Sequence, residues 1–188
     1  MFNRIKDYLA LFVLVAIILS AIAGLALSED WGSYQPAHSL GSSENDWWTT
    51  YPGQHANAGS SVEHPASIRD ALKEKPVLIL VHSSSCKDCV AQIANINKVL
   101  DSYRNDLKYD DILGEGSGFQ DATNLLSVYS PSGRAYVPTT IFITLIKGPD
   151  GKVDVAWYSV EGLMSEDQIR SYVKDSIYYY QQNAATWR

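Results

Sequence analysis

The two cysteines of this chain, Cys86 and Cys89, lie three positions apart in the stretch VHSSSCKDCVAQ. Such a pair suits three kinds of chemistry: a structural cross-link, part of a metal site, or a disulfide that opens and closes. A cross-link that closes so short a loop removes little unfolded-chain entropy. A structural zinc site needs four ligands, and the chain has no second cysteine pair. The spacing therefore favours reversible thiol–disulfide exchange.

The position of Cys86 supports the same chemistry. It follows the apolar run VLILV, which is typical of a strand buried on both faces, and it precedes a segment with helical periodicity. At the start of a helix, free N–H groups and the helix dipole stabilise an anion. A cysteine placed there can have its pKa lowered from about 8.5 to between about 3.5 and 7.5. Cys89 falls on the apolar face of the helix, so the pattern predicts an exposed first sulfur and a shielded second one.

A metal site remains the alternative at this point. His82 precedes Cys86 by four positions, so His82, Cys86 and Cys89 form an H-x3-C-x2-C array. Such an array could handle copper or zinc. Disulfide exchange itself requires no prosthetic group.

Composition limits the class of protein. The chain has 188 residues, is 46% hydrophobic and carries a formal net charge of −6 without a long run of either sign. A packed core of one domain fits these values. Nothing resembles the basic footprint of a nucleic-acid-binding protein.

The N-terminus indicates a membrane segment. Residues 8–27 contain no charged side chain, and twenty helical residues span about 30 Å, the thickness of a hydrocarbon core. Arg4 and Lys6 precede the span, whereas Glu29 and Asp30 follow it. The positive-inside rule then predicts a cytoplasmic segment 1–7, a signal-anchor helix 8–27 and an extracytoplasmic remainder. Signal-peptide cleavage and secretion is the alternative, and either fate places the folded part where disulfides persist.

The remainder divides at about residue 63. Residues 28–62 are rich in Gly, Ser, Asn and Thr and read as a tether, although Trp47 and Trp48 suggest that this segment folds back and covers part of the domain. Residues 63–188 show helix, strand, helix, strand, helix, strand, hairpin, strand and helix in order. This order predicts a small mixed α/β sheet with helices on both faces.

Two motifs resemble the thioredoxin superfamily. VLILVHSSSCKDC crosses a strand-to-helix junction, and VPTTIFI begins a strand some fifty residues later. The resemblance covers roughly residues 65–183 and implies a thioredoxin-like mixed sheet of four to five strands, here preceded by the transmembrane helix. It also implies a thiol–disulfide oxidoreductase, with a monomeric catalytic domain whose partners are proteins or small thiols.

The resemblance assigns roles to individual residues. It implies that Cys86 attacks and that Cys89 resolves the mixed disulfide. It implies a cis peptide bond before Pro138, and a substrate peptide that pairs with the backbone of Val137 beside Thr139.

The chain also departs from the family pattern. Lys87 and Asp88 replace the usual Gly-Pro between the cysteines, Leu80 stands where many thioredoxins have a buried acid, and His82 stands where many have Trp. Lys87 favours a thiolate and Asp88 opposes it, so His82, Lys87 and Asp88 are predicted to tune the pair while the direction of electron flow stays open.

Overall fold

The computed structural model describes residues 29–187. Residues 35–187 form one compact unit, and residues 29–34 belong to the unit before it. The predicted transmembrane helix lies outside the described residues. Within residues 29–187, no helix is long and apolar enough to cross a membrane.

The core of the compact unit is a four-stranded mixed sheet in the order β2-β1-β3-β4. The strands are β1 (Val77–His82), β2 (Lys108–Leu113), β3 (Thr139–Lys147) and β4 (Val153–Glu161). β1 pairs with β2 in parallel and with β3 antiparallel, and β3 pairs with β4 antiparallel. The carboxyl ends of β1, β2 and β4 and the amino end of β3 therefore meet at one end of the sheet.

Four helices pack around this sheet: α1 (Ala66–Ala71), α2 (Lys87–Tyr103), α3 (Phe119–Tyr129) and α4 (Glu166–Asn183). Every residue of β1 from Val77 to Val81 and of β3 from Thr139 to Ile146 is buried. Because alternate strand residues point to opposite faces, both faces of the sheet are covered. The predicted thioredoxin-like mixed sheet is confirmed.

The start of α4 carries the Ser-x-x-Gln pattern of a capping box, from Ser165 to Gln168. The Ser165 hydroxyl accepts a hydrogen bond from the Gln168 backbone N–H at 3.3 Å, and the Gln168 side chain accepts one from the Ser165 N–H at 2.9 Å. This reciprocal capping box satisfies two donors that a helix start leaves free.

The segment before α1 is part of the same packed unit. Trp47 and Trp48 are 0% and 2% exposed, in keeping with the expectation that this segment covers the domain. Trp48 exchanges two 2.9 Å backbone hydrogen bonds with Trp157 in β4. The outer edge of β4 is therefore paired at this point. The opposite edge of the sheet is β2, which carries Lys108, Asp110 and Asp111.

Candidate active site

Cys86 and Cys89 form a disulfide at the start of α2, with their Cα atoms 5.2 Å apart. Cys86 is the N-cap residue in an extended conformation, and its sulfur accepts a hydrogen bond from the Cys89 N–H at 3.1 Å. Cys86 is half-buried, whereas Cys89 is only 1% exposed. A partner can therefore reach the first sulfur more readily than the second.

The second part of the site is the loop that leads into β3. The Val137–Pro138 peptide bond is cis, as predicted. The Cys86 sulfur lies 3.8 Å from the Val137 carbonyl oxygen. Val137 is half-buried, while Pro138 and Thr139 are buried, and the Thr139 hydroxyl donates to the Tyr136 carbonyl at 2.7 Å. Val137 is thus the one of the three predicted substrate-binding residues that lies against the disulfide. Their binding of substrate stays a prediction.

Of the three predicted tuning residues, one lies at the end of β1 and two lie between the cysteines. His82 ends β1, and its Nε2 lies 3.1 Å from Asp111 Oδ1 in the neighbouring strand. Lys87 and Asp88 are exposed in the first turn of α2. Their influence on the disulfide stays a prediction.

The metal-handling alternative gains no support from this geometry. Among residues 29–187, no group of three or more His, Cys, Asp or Glu side chains is placed to hold a metal ion. The imidazole of His82 faces Asp111 in β2.

A carboxylate missed by the sequence reasoning supports the loop before Cys86. Glu115, in the loop after β2, accepts hydrogen bonds from the Ser84 backbone N–H at 2.7 Å and from the Ser84 hydroxyl at 2.8 Å. These bonds, with a smaller effect of His82, hold the pKa of Glu115 below its usual value. Gly118 lets this loop close, because an added Cβ would collide with the Leu113 carbonyl oxygen. The Gly-rich sequence around Glu115 was the one sequence feature that could have indicated a tight loop here.

A second residue near the cysteines that was not predicted from the sequence is a buried polar side chain in α2. Gln92 lies three residues after Cys89 and is 0% exposed. Its side chain bonds to the Thr140 hydroxyl in β3 and to the Met164 backbone after β4. Gln92 lies one helical turn before Ile96, and this spacing could have indicated that Gln92 is on the inner face of α2.

Apolar surface concentrates at the disulfide end of the sheet. The large hydrophobic side chains that remain exposed among the described residues are Val90, Leu113, Phe119, Tyr136 and Leu163. At that end, Leu113 ends β2, Phe119 begins α3, Tyr136 precedes β3, Leu163 follows β4 and Val90 lies near the start of α2. A groove of about 250 Å³ runs from His82 to Val137, and both Phe119 and Tyr136 line it. The groove reaches Val137, whose carbonyl oxygen lies 3.8 Å from the Cys86 sulfur, so this apolar surface adjoins the disulfide.

Strand order, a disulfide at the start of the helix after β1, and a cis peptide bond facing that disulfide together decide the fold. The chain has a thioredoxin-like fold. The fold that the resemblance implied is thereby confirmed.

Thioredoxin-family proteins are also the chain's structural neighbours. Chloroplastic thioredoxin z has a TM-score of 0.40 and 17% identity over 57% of this chain and 80% of that one. For MTB dsbF the values are 0.35 and 22%, over 53% and 78%. The pneumococcal exposed lipoprotein thioredoxin Etrx1 from Streptococcus pneumoniae gives 0.38 and 20%, over 57% and 89%. No protein-family model and no curated protein matches the sequence.

Proposed function

We propose that this protein is a thiol–disulfide oxidoreductase that acts through Cys86 and Cys89. The observation that carries the proposal is the unequal placement of the two sulfurs. Cys86 caps α2, is half-buried and lies against the Val137 carbonyl, whereas Cys89 is almost fully buried one turn along. Exchange chemistry needs one sulfur that meets the partner and one that is kept from it.

In the reduced protein, the Cys86 thiolate attacks one sulfur of a partner disulfide. A Cys86–partner disulfide forms, and the other partner sulfur leaves as a thiolate that takes up a proton. The Cys89 thiol then loses its proton and attacks the Cys86 sulfur. The Cys86–Cys89 disulfide re-forms, and the second partner sulfur leaves as a thiolate. Two electrons pass from the cysteine pair to the partner, and the reverse sequence oxidises a partner dithiol.

The start of α2 favours the charged intermediates of this cycle. The Cys89 N–H already points at the Cys86 sulfur at 3.1 Å. A backbone donor and the helix dipole both stabilise negative charge at that atom. Lys87 and Asp88 add opposite charges within the same turn.

The proposed place of action is the extracytoplasmic side of a membrane, with residues 8–27 as a single-pass anchor. The apolar, uncharged run at 8–27 and the basic residues before it support this orientation. A disulfide also persists more readily outside the cytoplasm. The proposed partners are extracytoplasmic proteins or small thiols that carry a cysteine or a disulfide, and the catalytic domain acts as a monomer.

The test is the reduction potential of the Cys86–Cys89 pair. Full-length, metal-free protein, purified in a mild detergent, is equilibrated against glutathione and dithiothreitol buffers. A reversible two-electron transition is expected within the family range of about −270 to −120 mV. A value near the first limit identifies a reductant, and one near the second identifies a disulfide donor or isomerase. A pair that does not cycle reversibly would contradict the proposal.

A further inference from the structure

Gln92 places a buried amide between the cysteine helix and the rest of the core. Its Nε2 donates to the Thr140 hydroxyl oxygen at 2.7 Å, and its Oε1 accepts from the Met164 backbone N–H at 2.8 Å. The Met164 N–H can only donate, so it determines which end of the amide faces which partner. Both ends of the Gln92 side chain therefore have a specific partner.

The bond to Thr140 joins the two parts of the candidate active site. Thr140 lies two residues after Pro138 in β3, and its backbone is paired with Leu80 in β1. Gln92 lies one turn after Cys89 in α2. One side-chain hydrogen bond thus connects the helix that carries the cysteines to the strand that carries the cis-proline loop.

The bond to Met164 secures the other end of the amide. Met164 is 2% exposed and directly precedes the N-cap of α4. Asn95, one turn further along α2, donates to the Met164 carbonyl oxygen at 2.9 Å. Helix α2 therefore binds both the backbone N–H and the backbone carbonyl of Met164. Of the two side chains that do so, only Gln92 also bonds to β3, through Thr140.

We propose that Gln92 is a positioning residue for thiol–disulfide exchange, an inference that rests on the proposed function. It holds α2 against β3 so that the Cys86 sulfur stays aligned with the Val137 carbonyl whether the disulfide is closed or open. A buried amide is unfavourable unless it is hydrogen-bonded. The observed placement of the helix lets Gln92 bond to Thr140 and Met164 together. An apolar side chain of similar size at position 92 would leave α2 free to shift.

The experiment compares Gln92→Leu, Thr140→Val and the double variant with the wild type in the full-length protein. Turnover of insulin disulfides is measured with dithiothreitol as the electron source. Each single variant should lower kcat/KM by about tenfold or more, chiefly through KM, because small misplacements of reacting groups are costly. The double variant should be no worse than the poorer single one, since both remove the same interaction.

Two controls separate positioning from folding. Iodoacetamide alkylation of reduced Cys86 does not use the cis-proline loop, so in Gln92→Leu its rate should stay within about twofold of the wild type. Asn95→Ala loosens Met164 without touching β3, and its kcat/KM should also stay within about twofold.

Three outcomes would overturn the inference. One is a Gln92→Leu variant that unfolds at lower urea but keeps its kcat/KM, since Gln92 would then serve stability alone. Another is a fully additive double variant, because Gln92 and Thr140 would then act separately. The third is a wild-type protein that turns over no protein disulfide. That result would contradict the proposed exchange with protein disulfides, whereas the first two would leave it intact.

Discussion

Glu115 and Ser84 lie 31 residues apart in the sequence and are hydrogen-bonded directly before the cysteine pair. The Glu115 carboxylate accepts from both the backbone N–H and the hydroxyl of Ser84. The loop before Cys86 is therefore held by a side chain from the loop that follows β2. The loop, as well as the helix, therefore positions the Cys86 sulfur.

The first prediction concerns this contact. Glu115→Ala should lower kcat/KM for insulin disulfides by about fivefold, because residues 83–85 lose their anchor and Cys86 shifts. In the matched Glu115→Gln variant, the amide oxygen can still accept from the Ser84 N–H, and activity should stay within about twofold. Equal losses in the two variants would show that the negative charge matters and the hydrogen bond does not.

The second prediction tests which sulfur attacks and which resolves, by trapping a mixed disulfide. The Cys89→Ser variant should form a stable mixed disulfide with insulin, because no second thiolate remains to release it. Non-reducing electrophoresis and intact-mass measurement would detect the covalent complex. The Cys86→Ser variant should form little or none, since Cys89 is buried. A complex that forms through Cys89 as readily as through Cys86 would reverse the proposed roles.

The third prediction concerns the segment before α1. Trp48 packs against Trp157 and Tyr158, with ring centroids 5.1 and 5.2 Å away. Trp48→Ala should lower the free energy of unfolding by about 3–5 kcal/mol, the usual cost of removing a large buried aromatic ring. Urea unfolding followed by circular dichroism would measure it.

Trp31 provides the control for that measurement. It stacks edge-on against Tyr34, 5.5 Å away, in the unit that precedes residue 35. Trp31→Ala should change the unfolding free energy by no more than about 0.5 kcal/mol. A loss for Trp48→Ala as small as that for Trp31→Ala would mean that the segment 35–62 does not belong to the cooperative core.

The fourth prediction is a pH dependence of stability. Burial lowers the pKa of His64 from 6.5 to about 4, against a smaller opposing effect of Asp154. The folded state therefore favours neutral His64, and its contribution to stability is complete above pH 6.5. As the pH falls from 6.5 towards 4, the unfolded chain binds a proton that the folded chain does not, so stability is lost. The loss should be on the order of 3 kcal/mol.

The control for this prediction is His64→Gln, which removes the titrating group. The His64 ring nitrogen lies 2.9 Å from the Tyr129 hydroxyl, and a glutamine amide can contact the same hydroxyl. Urea midpoints measured between pH 7 and pH 4 should fall less steeply in the variant. The same pH slope in both proteins would exclude His64 as the source.

Most of the fold could be predicted from local patterns. The apolar run at β1 marked a strand buried on both faces, and the structure shows no exposed residue between Val77 and Val81. The Ser165 and Gln168 spacing marked the start of α4, where both capping bonds form. The cysteine pair could also be located from the sequence, and the structure joins Cys86 and Cys89 in a disulfide at the start of α2.

The contacts that hold the site could not be predicted in the same way. Gln92 reaches Met164 across 72 positions, and Trp48 pairs with Trp157 from a segment without periodicity. Such pairings depend on how the elements pack, and no local propensity encodes them.

The two outer edges of the sheet are both protected against pairing with other chains. A bare strand edge recruits other extended chains and leads to aggregation. Here Trp48 occupies part of the β4 edge, and β2 carries Lys108, Asp110 and Asp111 along the other. Charged side chains on an outer strand discourage intermolecular pairing. In the proposed function, a partner polypeptide would meet the disulfide at the end of the sheet, while neither lateral edge offers it a free strand for aggregation.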